Sequence, residues 1–235
     1  MNNPDLLETV ADYLRTELFP DIDPLSQRVL LGLYRLVAQG TPVTIDKLGT
    51  TLSINNGAVA SILKSVEPSR LQFDEAGGIV AFTGLSQAPT NHRFVFGDRE
   101  LYTWCAFDTL FLPQLLGGEA RVSSTCPITK VKIQLAVTEA GPRFVEPSHA
   151  VMSFVMPDAK TRCGDLRGAF CNHVNFLASP EAGNTWAKRN AGTAIVSLDD
   201  AFDLGRARNE ACFKDVLSRG ANQVERRMSN GIGCK

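Results

Sequence analysis

Leu101-Tyr-Thr-Trp-Cys-Ala-Phe-Asp-Thr-Leu-Phe-Leu112 is apolar on nearly every side, with one thiol and one carboxyl set into it. Asp98 is an N-cap residue type, and Pro113 followed by Gly117-Gly118 bounds the far end, so the spacing predicts a buried helix from about 98 to 112. Cys105 and Asp108 are three apart and would share one face of it. The helix start at Asp98 would then lie nearly two turns from Cys105, too far for its dipole to help the thiol much. A buried carboxylate is costly and must pair, cap or keep its proton. The residues leave two roles open for Asp108. It caps a loop or pairs with a buried arginine such as Arg121, or it takes the Cys105 thiol proton and returns it to a substrate as a general acid–base. Trp104 and Tyr102 are candidates to wall a pocket, against simple core packing.

Around this segment, strands are expected at Arg93–Phe96, Ala120–Ser123, Lys130–Val137, Ala150–Met156 and Thr193–Ser197, with alternation that suits antiparallel pairing. Ala169-Phe-Cys-Asn-His-Val-Asn-Phe-Leu-Ala-Ser179 also alternates. As a strand it would turn Phe170, Asn172, Val174 and Phe176 one way and Cys171, His173 and Asn175 the other. Cys171 and His173 are then either metal ligands or a satisfied polar edge. A short helix is expected near Asn184–Arg189 and a last one over Asp199–Ser218, followed by a frayed polar tail, 219–235.

Upstream, Leu6, Leu7, Val10, Leu14 and Leu18 recur at helical spacing until Pro20. Further helices are expected over Pro24–Ala38, near Val43–Leu48, and through Val59, Ile62, Leu63 and Val66. A hairpin of Arg70–Phe73 and Ile79–Phe82 follows, turning at Asp74-Glu-Ala-Gly-Gly78. This order outlines a winged-helix-like lobe, residues 1–84, and Gly84–His92 reads as a linker to a catalytic domain at 93–218. The expected class is α+β: a helical lobe followed by a mainly antiparallel β core with flanking helices. The first ninety residues hold six basic and ten acidic side chains, a net of -4. DNA affinity rests on phosphate neutralisation, so this lobe fits a packing or lid module better than a nucleic-acid reader.

Composition sets the outer bounds. The 235 residues are 44% hydrophobic and 21% charged, with a net charge of -1, as in an ordinary globular protein. No apolar run reaches the roughly 20 residues of a membrane helix, and the N-terminus lacks a signal-peptide pattern. A soluble, cytoplasmic protein with no membrane or nucleic-acid partner is expected. Six widely spaced cysteines (105, 126, 163, 171, 212 and 234) without a CxxC suit thiols better than disulfides. Cys163, Cys212 and Cys234 suggest no chemistry, and Cys212 reads as packing.

Four ordered motifs carry a resemblance: Leu101–Leu110; Ala120-Arg-Val-Ser-Ser-Thr-Cys126; Phe170-Cys-Asn-His-Val-Asn-Phe176; and Ala194-Ile-Val-Ser-Leu-Asp-Asp-Ala-Phe-Asp-Leu-Gly205. Together they resemble the organomercurial (alkylmercury) lyases of bacterial mercury resistance, over about residues 93–218. The resemblance implies a catalytic set of Cys105, Asp108 and Cys171, the same three gripping mercury, and a structural Cys126. It implies no cofactor, an external low-molecular-weight thiol for turnover, and Hg(II) hand-off to mercuric reductase. Many members carry a second cysteine directly after the Cys171 position, where this chain has Asn172. The chemistry suits the residues. Mercury is soft and prefers thiolate sulfur; two thiolates push electron density toward carbon, and a carboxylic acid can protonate it. The alternatives are a thiolate metal-binding protein and a metal-sensing winged-helix regulator, both without turnover.

Overall fold

In the computed structural model, residues 4–13, 22–155 and 166–229 are described, the side chains of 4–7, 13, 166 and from 218 onward excepted. Four helices come first: α1 (Pro4–Tyr13), α2 (Pro24–Val37), α3 (Ile45–Leu52) and α4 (Asn56–Ser65). The end expected for the first helix near Pro20 lies outside the described residues, as do Cys163, Cys234 and residues 230–235 of the expected tail; residues 219–229 continue the last helix, which therefore runs past Ser218. Local chemistry sets the other boundaries. Asp23 caps α2 by accepting the Leu25 and Ser26 N–H groups, with Pro24 at the first helical position. Thr44 caps α3 through the Lys47 N–H, and Asn55 caps α4 through that of Gly57.

The strands are β1 (Leu71–Phe73), β2 (Ile79–Phe82), β3 (Leu85–Ser86), β4 (His92–Phe96), β5 (Arg99–Thr103), β6 (Ala120–Thr125), β7 (Lys132–Thr138), β8 (Gly141–Glu146), β9 (Val151–Val155), β10 (Phe176–Leu177) and β11 (Thr193–Ser197). Among them run α5 (Asp108–Leu116), α6 (Leu166–Ala169), α7 (Pro180–Arg189) and, last, α8 (Leu198–Ser229). Eight strands form one sheet in the order β1-β2-β3-β5-β4-β6-β7-β8, and three form another, β10-β9-β11. All the pairings are antiparallel, so the class is α+β as expected. The register slips at both outer pairs of the large sheet, near Gln72/Phe73 and opposite Gln134/Ala136. No helix among the described residues is long and apolar enough to cross a membrane.

Three expectations are corrected. The helix read over 98–112 is a strand, a turn and a shorter helix. Gly97, at φ +59°, and exposed Asp98 turn β4 into β5, pairing Phe96 with Arg99. Along β5, Leu101 and Thr103 are buried while Glu100 is exposed and Tyr102 half-buried, a strand period hidden in an apolar run that also suits a helix. Pro113 does not end α5; Gly117, left-handed at φ +76°, does. The strand read over 169–179 is interrupted by a 3₁₀ turn at Cys171–His173, leaving only Phe176–Leu177 paired as a strand. Asn172, the polar residue on that supposed apolar face, is exposed, and Cys171 is buried. The segment expected as a linker contributes β3, which pairs with both β2 and β5 and carries the sheet through from the hairpin.

The core between the two sheets is aromatic. Phe154 of β9 meets Phe107 edge-on at 5.0 Å and Phe170 at 5.5 Å. Phe107 adjoins Asp108 and Phe170 adjoins Cys171, so Phe154 ties together the two chain segments that hold these residues. Cutting Phe154 to Ala should cost about 3–5 kcal/mol of unfolding free energy, measured by urea titration. Phe154→Leu should cost less than half of that.

Candidate active site

Cys105 lies in the turn between β5 and α5, and Asp108 is the first residue of α5. The chain doubles back here, and Asp108 Oδ2 accepts the Cys105 backbone N–H at 2.8 Å. Thr103 Oγ1 donates to the Cys105 carbonyl at 2.9 Å, and Thr109 Oγ1 to that of Ala106 at 2.7 Å. The pair therefore meets across a capped turn and not along a helical face. The loop-capping role left open for Asp108 is real and coexists with its place beside the thiol. Arg121 is exposed on β6 and takes no part.

Cys171 reaches the same point from the smaller sheet. The Ala106 N–H donates to the Val174 carbonyl at 3.1 Å, and the Val174 N–H to the Cys171 carbonyl at 3.2 Å. Ser153 Oγ holds the following residues by donating to the His173 carbonyl at 2.7 Å. As a result Cys105 Sγ, Cys171 Sγ and an Asp108 carboxylate oxygen all lie within 4.8 Å of one another. Their exposures are 0%, 4% and 6% respectively. His173 is not part of the cluster.

Burial pushes the Asp108 carboxyl up from 3.8 to about 6, opposed by the Cys105 thiol and N–H and by the charge of Arg208. Burial, the bond to Cys171 and the Asp108 charge push the Cys105 thiol well above its ordinary value. Near neutral pH the resting pair is thus a carboxylate accepting from a thiol. The start of α5 lies at Asp108, not ten residues upstream, so the helix dipole does favour negative charge here. Trp104 is buried, with Arg167 5.2 Å from its ring. Tyr102 turns away: its hydroxyl donates to Glu100 on the solvent side of β5. Cys126 is buried outside the cluster, and its sulfur accepts the Thr129 N–H at 3.5 Å, stitching a turn. Cys212 is buried on α8. One neighbour escaped the sequence reading: Gly84, whose backbone lies against the Asp108 carboxyl.

Two thiols and a carboxyl closed off from water form a donor set whose chemistry suits a soft metal. Comparison with known proteins specifies it further. Residues 85–209 match the alkylmercury lyase (MerB) family. The alkylmercury lyase of Streptomyces lividans is 39% identical over 179 residues, covering 76% of this chain and 80% of that one. That of Pseudomonas putida is 40% identical over 177 residues, 75% and 81%. That of Bacillus cereus is 37% identical over 202 residues, 86% and 85%. A crystal structure of the mercury-bound form of MerB2 shares the fold at a TM-score of 0.71 and 23% identity, covering 88% of this chain and 99% of that one. The chain belongs to the alkylmercury lyase family.

The raised Asp108 carboxyl makes a stability prediction. Its folded value, about 6, lies above the ordinary 3.8, so the ionised form is disfavoured in the fold. The protein therefore loses stability as pH rises from about 4 through 6, by about 3 kcal/mol in all. Asp108→Asn keeps an acceptor for the Cys105 N–H and carries no charge. It should unfold at higher denaturant than the wild type at pH 8, with the gap closing toward pH 4. A gap that widens on acidification contradicts this electrostatic account.

Proposed function

We propose that Cys105 and Cys171 hold the mercury of an organomercurial substrate while Asp108 moves the proton that breaks its carbon–mercury bond. The protein is an alkylmercury lyase by family; the assignment of roles is carried by the convergence of two sulfurs and a carboxylate oxygen within 4.8 Å. Substrate arrives as R–Hg bound to a small thiol. Mercury bonds to the Cys105 sulfur, and Asp108, already accepting from that thiol, takes its proton. Cys171 then adds its sulfur, making mercury three-coordinate and raising electron density on carbon. Asp108 delivers a proton to the carbon, the carbon–mercury bond breaks, and RH leaves. Of the two cysteine protons, one departs in RH and one with the displaced thiol; Hg(II) stays between Cys105 and Cys171. A carboxyl near 6 suits both halves of this exchange around neutral pH.

No resident cofactor enters this scheme. Thiolate–mercury bonds are strong and both sulfurs are buried, so release calls on an external thiol or on the cysteine pair of an acceptor such as mercuric reductase. Asn172, exposed beside Cys171, brings no further sulfur to the rim, which gives that external acceptor more of the task.

The test is benzene release from phenylmercuric acetate in excess thiol. Wild type should turn over many times; one equivalent or less would mark a mercury-binding protein without lyase activity. Cys105→Ser and Cys171→Ser should each lower turnover by about a thousandfold or more. Asp108→Asn should still capture mercury but cleave about 100- to 10,000-fold more slowly. Unchanged cleavage in any variant removes that residue from its role.

A further inference from the structure

The Asp108 carboxyl rests against backbone from another part of the large sheet. A Cβ added at Gly84 would come within 2.4 Å of Asp108 Cγ and Oδ1 and within 2.9 Å of Oδ2. The carboxyl thus fills the space that any side chain at this position would need. Gly84 also has φ +100°, a conformation that other residues adopt only with strain. Its carbonyl accepts the Trp104 N–H at 2.8 Å, so the same turn supports the residue before Cys105.

Distant elements anchor that turn. Thr83 donates its N–H to the Arg70 carbonyl at 2.9 Å. The Thr83 carbonyl accepts the Tyr34 hydroxyl of α2, also at 2.9 Å. From α8, Arg208 Nη2 donates to the Tyr34 oxygen at 3.2 Å and Nη1 to Asn209 Oδ1 at 2.8 Å. Asn209 Nδ2 then donates to the Phe111 carbonyl at 2.9 Å and to Gln114 Oε1 at 2.8 Å, both on α5. Adjacent residues of α8 therefore brace both the turn under the carboxyl and the helix that carries it. Tyr34, Thr83, Arg208 and Asn209 are all buried, and the Arg208 guanidinium lies 4.3 Å from the Phe111 ring.

We infer that Gly84, Tyr34 and Arg208 are positioning residues for carbon–mercury cleavage: Gly84 is the seat of the Asp108 carboxyl, and the Tyr34–Arg208 pair holds that seat in place. The inference rests on the proton-carrying role given to Asp108 above. None of the three belongs to the mercury-gripping cluster. They set where the acid stands relative to it. Proton transfer to carbon is sensitive to such placement; a shift of about 1 Å can cost about 100-fold in rate.

The full-length enzyme is assayed with phenylmercuric acetate and excess thiol, measuring kcat and KM for benzene release and, separately, mercury captured per chain. Gly84→Ala should lose about 100-fold in kcat, with KM and capture within about twofold of wild type. Gly117→Ala is the control. Gly117 is also left-handed, at φ +76°, and has nothing within 4 Å of an added Cβ; the variant bears a similar backbone cost without the clash and should keep wild-type kcat. Tyr34→Phe keeps the ring and removes only the hydroxyl, and should lose about tenfold in kcat at unchanged KM. The inference is overturned if Gly84→Ala or Tyr34→Phe turns over like wild type, if capture falls together with kcat, or if Gly117→Ala loses as much as Gly84→Ala. Absence of benzene from the wild type would instead sink the lyase assignment, and this inference with it.

Discussion

The hydrogen bond from the Cys105 N–H to Asp108 Oδ2 is the constraint on which the site depends. A carboxylate cannot stay in an apolar interior without donors, and a bond to a charged acceptor is worth about 1.5–3 kcal/mol. By folding the Trp104–Phe107 turn over the carboxyl, the chain supplies a backbone donor and presents the Cys105 thiol as a second. The result is incomplete compensation. Asp108 is held but stays well above the ordinary carboxylate range, which suits the proton-carrying role proposed for it. Stronger solvation of the carboxylate would lower its pKa and leave a poorer proton acceptor; weaker solvation would leave a group that never ionises.

The two sulfurs come from different sheets. Cys105 follows β5 of the eight-stranded sheet and Cys171 precedes β10 of the smaller one. Their approach depends on contacts between the layers, chiefly the Phe107–Phe154–Phe170 cluster and the Ala106–Val174 backbone bond. Close-packed interiors tolerate little displacement, so the distance between the sulfurs is a property of the whole core. The thiols sit beside a single carboxyl and away from bulk water, a setting that suits a metal preferring sulfur over one that needs oxygen ligands.

Much of this was legible in the sequence, though not always for the right reason. The Cys105–Asp108 pairing follows from three-residue spacing, but that spacing works through a capped turn and not a helix. An apolar run such as Leu101–Leu112 carries no periodicity to separate the two. In the stretch around Cys171, Asn172 broke the apolar face, and its exposure marks the turn that alternation concealed. The α+β class and seven of the strands were readable from alternation and turn residues. Gly84 was not. Its importance comes from what lies above it in space, 24 residues along the chain, and no local pattern encodes that. Tyr34 and Arg208, from opposite ends of the chain, were hidden for the same reason.

The slipped registers at the two outer pairs of the large sheet matter beyond the fold. β1 is three residues long, and β8 carries Phe144 in the left-handed region at φ +53° with its side chain 83% exposed. Open edges normally present an even row of donors and acceptors that invites a strand from another molecule. Here both rows are broken, one by shortness and a bulge, the other by a bulge beside an outward-facing aromatic. Both borders are thereby made hard for another chain to extend: the sheet ends where its own sequence ends it.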